Sequence, residues 1–305
     1  MAVWVDPTIR WSDEITQSEH FERLSTNGDV LATWPPVFSE RTPTYCVRLD
    51  NQYCVWQRDV GGVFFAVGEP SLTLHPFPDT DRSFFWTLVS RSWLPAIYPF
   101  WGRQVLHTSA VVRADGIVIA FAGESGAGKS TTAFALAQRP GWNMLADDTL
   151  AFSFALDAPT AIRLHPLRLQ SRLRPDAAHH FGKDPGVEES FSWPAAAPLL
   201  KAIYVLDGVN SQARPTVERS SLSESYAFLL GQAHAMSLND AVHNQRLMRD
   251  YATLAAAVEV SRLTYCKSFE CLDETLDCIE SHAREYEGGD ASADAGETVM
   301  ARPLA

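Results

Sequence analysis

The segment Gly123-Glu124-Ser125-Gly126-Ala127-Gly128-Lys129-Ser130-Thr131 fits the pattern G-x-x-x-x-G-K-[ST]. Few nine-residue stretches restrict a chain so much. Glycines let consecutive backbone N–H groups turn inward around an anion. Ser130 to Gln138 reads as a helix, whose positive N-terminal end faces the same anion. Lys129 brings a full charge to the outer phosphates, and the Ser130 hydroxyl is placed to ligate Mg²⁺. The apolar run Ile117 to Ala122 just before the loop reads as a strand buried on both faces. Strand, glycine loop and helix therefore follow in the order that a nucleotide-phosphate cradle requires.

Eighteen positions after Lys129 come Asp147-Asp148, at the end of the strand-like run Trp142 to Ala146. Arg139-Pro140-Gly141 stops the intervening helix. In an open α/β sheet, neighbouring strands present their carboxyl ends along one edge, which brings both acids to the phosphates. Adjacent side chains at a strand end point to opposite sides, so one acid can hold Mg²⁺ while the other faces an acceptor. Upstream, Val105 to Val112, the turn Arg113-Ala114-Asp115-Gly116 and the run from Ile117 read as a hairpin. That places His107 on the strand beside the loop strand.

The rest of the chain is organised around this centre. Seven of nine tryptophans precede the loop, which argues for a packed aromatic module over residues 1–100. Thr44 to Leu49, Tyr53 to Gln57 and Val63 to Val67 read as strands, with Asp50-Asn51-Gln52 and Gly61-Gly62 as turns. Asp81 to Phe100 reads as one apolar helix with Phe84, Phe85, Leu88, Val89 and Trp93 in the core. Thr149 to Leu156, Ile162 to Leu169 and Leu199 to Leu206 read as further strands. Arg163 and Arg168 read as solvated charges, and His179 and His180 as surface residues. Arg174 to Pro198 reads as a long loop: a lid, a substrate loop or disorder. From Ser221 onward the pattern is helical, over 222–234, 239–258 and 271–285. Residues 101–286 make the second domain, and 287–305, rich in Gly, Ala, Ser and acids, read as a disordered tail.

Net charge is −12 over 305 residues, with no basic run, which argues against nucleic acid and anionic membranes as partners. Neither a membrane-spanning stretch nor a signal peptide is legible, so a cytoplasmic location is expected. The five cysteines include no CxxC pair and read as free thiols.

Leu106-His107-Thr108-Ser109-Ala110, the Gly123–Ser130 loop and Leu145-Ala146-Asp147-Asp148 together resemble the HPr kinase/phosphorylase family. More narrowly they look like the stand-alone kinases linked to lasso peptides. The resemblance spans about residues 100 to 210. It implies an α/β P-loop kinase core of the HPr kinase and phosphoenolpyruvate carboxykinase type, with the N-terminal β-rich module before it and C-terminal helices after it. It further implies transfer of the γ-phosphate of ATP or GTP to a serine hydroxyl of a peptide or small protein, with Mg²⁺. Carried over, Asp147 is the base, Asp148 and Ser130 hold Mg²⁺, Lys129 and the loop hold the phosphates, and His107 sits beside Asp147 and tunes it. HPr kinases form hexamers, so a homo-oligomer is an expectation too. The glycine- and arginine-rich stretch that HPr kinases carry after the double Asp is missing, which argues against HPr as substrate and against phosphorolysis. Two other readings remain: a small-molecule kinase of the shikimate-kinase sort, which continues from its acids into a helix, and a non-catalytic nucleotide-binding regulatory module.

Overall fold

The computed structural model describes residues 7–15, 18–34, 42–50, 52–154, 161–165, 167, 173–184, 193–194, 197–209, 213–233 and 240–287. The fold is mixed α/β. The elements are β1 (Thr8–Trp11), α1 (Ser18–Asn27), β2 (Asp29–Trp34), β3 (Thr44–Arg48), β4 (Tyr53–Gln57), β5 (Gly61–Ala66), β6 (Glu69–Pro76), α2 (Arg82–Leu88), a π-turn at Val89–Trp93, α3 (Leu94–Ile97) and a 3₁₀ turn at Tyr98–Trp101. There follow β7 (Gln104–Leu106), β8 (Ser109–Arg113), β9 (Ile117–Ala122), α4 (Lys129–Ala137), β10 (Trp142–Ala146), β11 (Leu150–Phe154), β12 (Ile162–His165) and α5 (Pro175–His180). The chain continues with β13 (Leu199–Val209), β14 (Thr216–Arg219), α6 (Leu222–Gly231), α7 (Ala241–Ala257), β15 (Glu259–Cys266), a 3₁₀ turn at Phe269–Cys271, α8 (Leu272–Ala283) and a last 3₁₀ turn at Arg284–Glu287.

Among the described residues the strands form three sheets, ordered β1-β6-β5-β4-β3-β2, β10-β8-β9-β13-β15-β14 and β12-β11-β7. The second sheet decides where the site lies. β10 and β9 each pair antiparallel with β8, so both run the same way and end at one edge. β13 and β15 run parallel to β9 and end there too. The edge thus gathers the loop after β9, the acids after β10, the start of β8 and the end of β15. The two faces of the sheet are closed by different packings. Phe121, Tyr204, Leu263 and Ile279 pack with α4 and α8 on one, and Ala120, Ile203, Tyr251 and Leu254 with α7 on the other. Successive strand residues feed opposite faces, which is why β9 is buried throughout.

The aromatic sheet has its own cluster around Val55, Phe65, Leu74, Phe85 and Trp93. That cluster also takes in Val105 of β7 and Ala151 of β11, so the apolar interior continues from the first sheet into the third.

Several expectations need correction. Gly61 and Gly62 belong to β5, not to a turn. The close approach of β6 demands the first of them: φ is +133° and a Cβ there would stand 2.2 Å from the His75 carbonyl oxygen. The 81–100 helix is not continuous. Pro95 cannot donate to the Arg91 carbonyl, and the chain shifts register just before it, with Leu94 N–H donating to Val89 O. Phe84, read as core, is 43% exposed. The stretch 105–112 is not one strand, because β7 and β8 belong to different sheets and His107 with Thr108 forms the joint between them.

The largest miss is β15, a strand inside a region read as helical. No Gly or Pro separates it from α7, and its signal is the apolar and β-branched series Val258, Val260, Leu263, Thr264 and Tyr265. Helix α1 and strands β1, β2, β6 and β14 were not anticipated either. The 174–198 stretch, read as loop, contains helix α5 at Pro175–His180; its residues 185–192 and 195–196, together with Leu156, Arg168, Leu169 and residues 288–305, lie outside the described residues. No described helix is long and apolar enough to cross a membrane.

Candidate functional site

At the shared edge lies a cleft of about 430 Å³. Ser125, Gly126, Gly128, Lys129, Ser130 and Thr131 line it, together with His107, Asp147 and Asp148. The residues expected from sequence to form a site therefore meet at one place. Of the other loop residues, Gly123 and Glu124 supply the carbonyls held by Lys129 Nζ, at 2.9 and 3.2 Å. Ala127 N–H donates to Glu124 O at 3.0 Å, closing the turn. The turn needs its glycines: φ is +148° at Gly123, +84° at Gly126 and +93° at Gly128. A Cβ on Gly128 would also lie 2.7 Å from the Tyr265 hydroxyl oxygen. Tyr265, at the end of β15, donates to the Ala127 carbonyl and so ties a second parallel strand to the loop.

Lys129 is 7% exposed. Burial pulls its pKa below the usual lysine value; Asp148 and Asp147 oppose that pull and Arg174 adds to it. The ammonium group thus shares one cleft with both acids and with Arg174, and α4 begins at the lysine itself.

The two acids are held differently. Asp147 is 6% exposed, and its Oδ1 accepts from Ser109 Oγ at 2.7 Å. A register shift between Met144 and Ala146, where β10 pairs with β8, precedes this contact. Asp148 is exposed and has φ +64°, the one positive φ at a non-glycine among the described residues. Aspartate tolerates that region better than most residues, and outliers of this sort gather at functional sites. His107 meets this second acid: its Nδ1 lies 3.1 Å from the Asp148 carbonyl oxygen and 3.3 Å from Oδ1. The position of His107 is fixed from behind. Its N–H donates to Gln232 O, while α7 grips β7 through Gln104–Asp250 at 2.9 Å and Tyr251–Val105 at 2.6 Å.

The sequence reading gave no role to several groups in the cleft. Ser109, fully buried and bonded to Asp147, stood inside the quoted motif without a role either. Arg91 arrives from the π-turn of the aromatic half, and Arg174, Asp176, Tyr265, Lys267 and Phe269 come from α5 and its cap, β15 and the following turn. A proline four residues after Arg91 was the available signal for the helix irregularity. Arg174 Nη2 approaches Ser125 Oγ at 3.4 Å. Four cationic side chains (Arg91, Lys129, Arg174, Lys267) against three carboxylates make the cleft cationic in an acidic protein.

Ser130 and Asp148 offer hard oxygen donors suited to Mg²⁺. Among the described residues no group of three or more His, Cys, Asp or Glu side chains could hold a metal ion.

No protein-family model matches the chain. No curated protein matches it either. Among solved structures, the Hpr(Ser) kinase/phosphatase from Coxiella burnetii aligns over 61% of this chain and 99% of that one, at 14% identity and a TM-score of 0.33.

Proposed function

We propose that the protein is a P-loop phosphotransferase that moves the γ-phosphate of ATP or GTP to a serine hydroxyl of a peptide or small protein. A single observation carries this reading: the anion-wrapping loop, Lys129 and both acids open into one cationic cleft at one sheet edge. Phosphoryl transfer asks for charge neutralisation around the γ-phosphate, an in-line acceptor and a proton acceptor for its hydroxyl. The loop, the start of α4, Lys129 and Arg174 answer the first requirement. Asp147, oriented by Ser109, answers the last. Asp148 and Ser130 would hold Mg²⁺, which would supply charge neutralisation to the phosphates. His107 restrains Asp148.

The sequence resemblance makes the finer proposal a tailoring kinase for a ribosomally made, lasso-type peptide precursor. A shikimate-kinase-like reading expects a helix directly after Asp148. The chain there is β11, one residue on, and this disfavours it.

The test incubates the full chain with Mg-ATP and serine-containing precursor peptides and follows phosphate incorporation by mass spectrometry. Asp147→Asn should lower transfer at least about a hundredfold while nucleotide still binds. Transfer that persists in that variant would remove Asp147 from the role of base. Nucleotide binding with no transfer to any peptide would leave a regulatory module.

A further inference from the structure

We propose that Cys266 and Cys271 form a reversible dithiol–disulfide pair that staples the loop along one wall of the cleft. Cys266 ends β15 and Cys271 precedes α8. Their sulfurs stand 2.6 Å apart. Between them lie Lys267, Ser268, Phe269 and Glu270, of which the first three line the cleft. Phe269 is 36% exposed, and His180 stacks on it with centroids 4.1 Å apart and planes 13° from parallel. This short loop thus connects the cleft to α5 as well. Residue 265, next to the first cysteine, holds the phosphate loop through Ala127.

Five residues is a short separation, yet the strand end and the helix start already bring the thiols together. Closure therefore asks for little backbone movement. Cys266 is 6% exposed and Cys271 half-buried, so the second is the point of attack for a small oxidant. Its hydrogen bond with Cys266, then burial and nearby charges including Glu274 and Glu270, push the Cys271 thiol up to about 11. Exchange is therefore slow at neutral pH and quickens as pH rises.

The co-reactant is a low-molecular-weight disulfide such as glutathione disulfide. The Cys271 thiolate, having lost its proton to solvent, attacks one sulfur of that disulfide; the S–S bond breaks and one glutathione thiolate leaves and is protonated. The Cys266 thiolate then attacks Cys271 Sγ in the mixed disulfide and expels the second glutathione thiolate, which takes up a proton. Two protein thiols are oxidised to one disulfide, and one glutathione disulfide is reduced to two thiols. In a reducing compartment such a pair acts as a sensor rather than as permanent scaffolding.

The bond does not depend on what the cleft binds; its effect on nucleotide rests on the phosphotransferase reading. The test equilibrates the full chain in glutathione buffers from reduced to oxidised, alkylates free thiols and digests with trypsin. Cleavage after Arg262, Lys267 and Arg284 separates the two cysteines into peptides 263–267 and 268–284. The expected result is a linked pair of those peptides with Cys278 alkylated, reversed by dithiothreitol. Amide exchange over 267–270 should slow at least about threefold in the oxidised form and stay unchanged in Cys271→Ser under the same buffers. A fluorescent ATP analogue should bind the oxidised form about three- to tenfold more tightly. Independent alkylation of both thiols at every buffer ratio would overturn the proposal. So would a linked pair that leaves loop exchange unaltered. Linked peptides and slowed exchange, with nucleotide binding neither form, would uphold the staple and defeat the phosphotransferase reading.

Discussion

Ser109 illustrates what a residue can do unseen. Its hydroxyl is fully buried and donates to the acid that the sequence singles out as base. Ser109→Ala should leave nucleotide affinity within about twofold and lower the transfer rate about ten- to a hundredfold, since a hydrogen bond to a charged group is worth about 1.5–3 kcal/mol. Steady-state kinetics beside binding titration would separate the two quantities. An equal loss in both would assign Ser109 to general packing. The loop, Lys129, Asp147 and Asp148 were legible because their chemistry is written in consecutive letters. Ser109 was not, because its partner depends on the register of β8 against β10, and that register shifts within β10. His107 does line the cleft, but its strand assignment failed for the same kind of reason: the chain changes sheets on either side of it.

At the scale of elements, the π-turn at 89–93 turns a local conflict into a useful position. Pro95 denies the helix one donor, the chain shifts register, and Arg91 within that turn lines the cleft. Arg91→Ala should weaken nucleotide binding about three- to tenfold, read by calorimetric titration, while thermal stability changes little. Unchanged affinity would confine the aromatic half to a structural role. The hairpin β8–β9, helix α4 and strand β10 were readable from periodicity and breakers. Strand β15 was not, since α7 passes into it through Ala257-Val258 without a breaker, and its partners β13 and β14 lie far away in sequence. Long-range pairing, rather than local propensity, makes it a strand.

For the whole molecule, buried and half-buried histidines shape the response to acid. His165 is bonded to Ser153 at 2.8 Å, and burial, with Arg103 and Arg163 adding to it, brings its pKa down to about 4. Burial lowers His75 and His243 as well. The unfolded chain takes up protons near 6.5 that the native protein refuses, so stability is full above that pH and declines as pH falls toward 4. Urea midpoints should drop between pH 7.5 and 5.0 by the equivalent of roughly 1–2 kcal/mol from His165. His165→Gln should flatten part of that slope; an identical slope would exclude it as a source. Asp115 and Glu224, whose pKa values are depressed by Arg113 and Ser221 respectively, add their own loss only at lower pH.

The apolar seam through Val105 and Ala151 has a mechanical meaning. Each lies within a few residues of a group in the cleft, His107 in one case and Asp148 in the other, and each is packed among aromatic-half side chains. The tryptophan-rich half is therefore the anvil against which those two cleft-edge segments are seated. Softening it from within would unseat the edge of the cleft while every residue that lines it kept its identity.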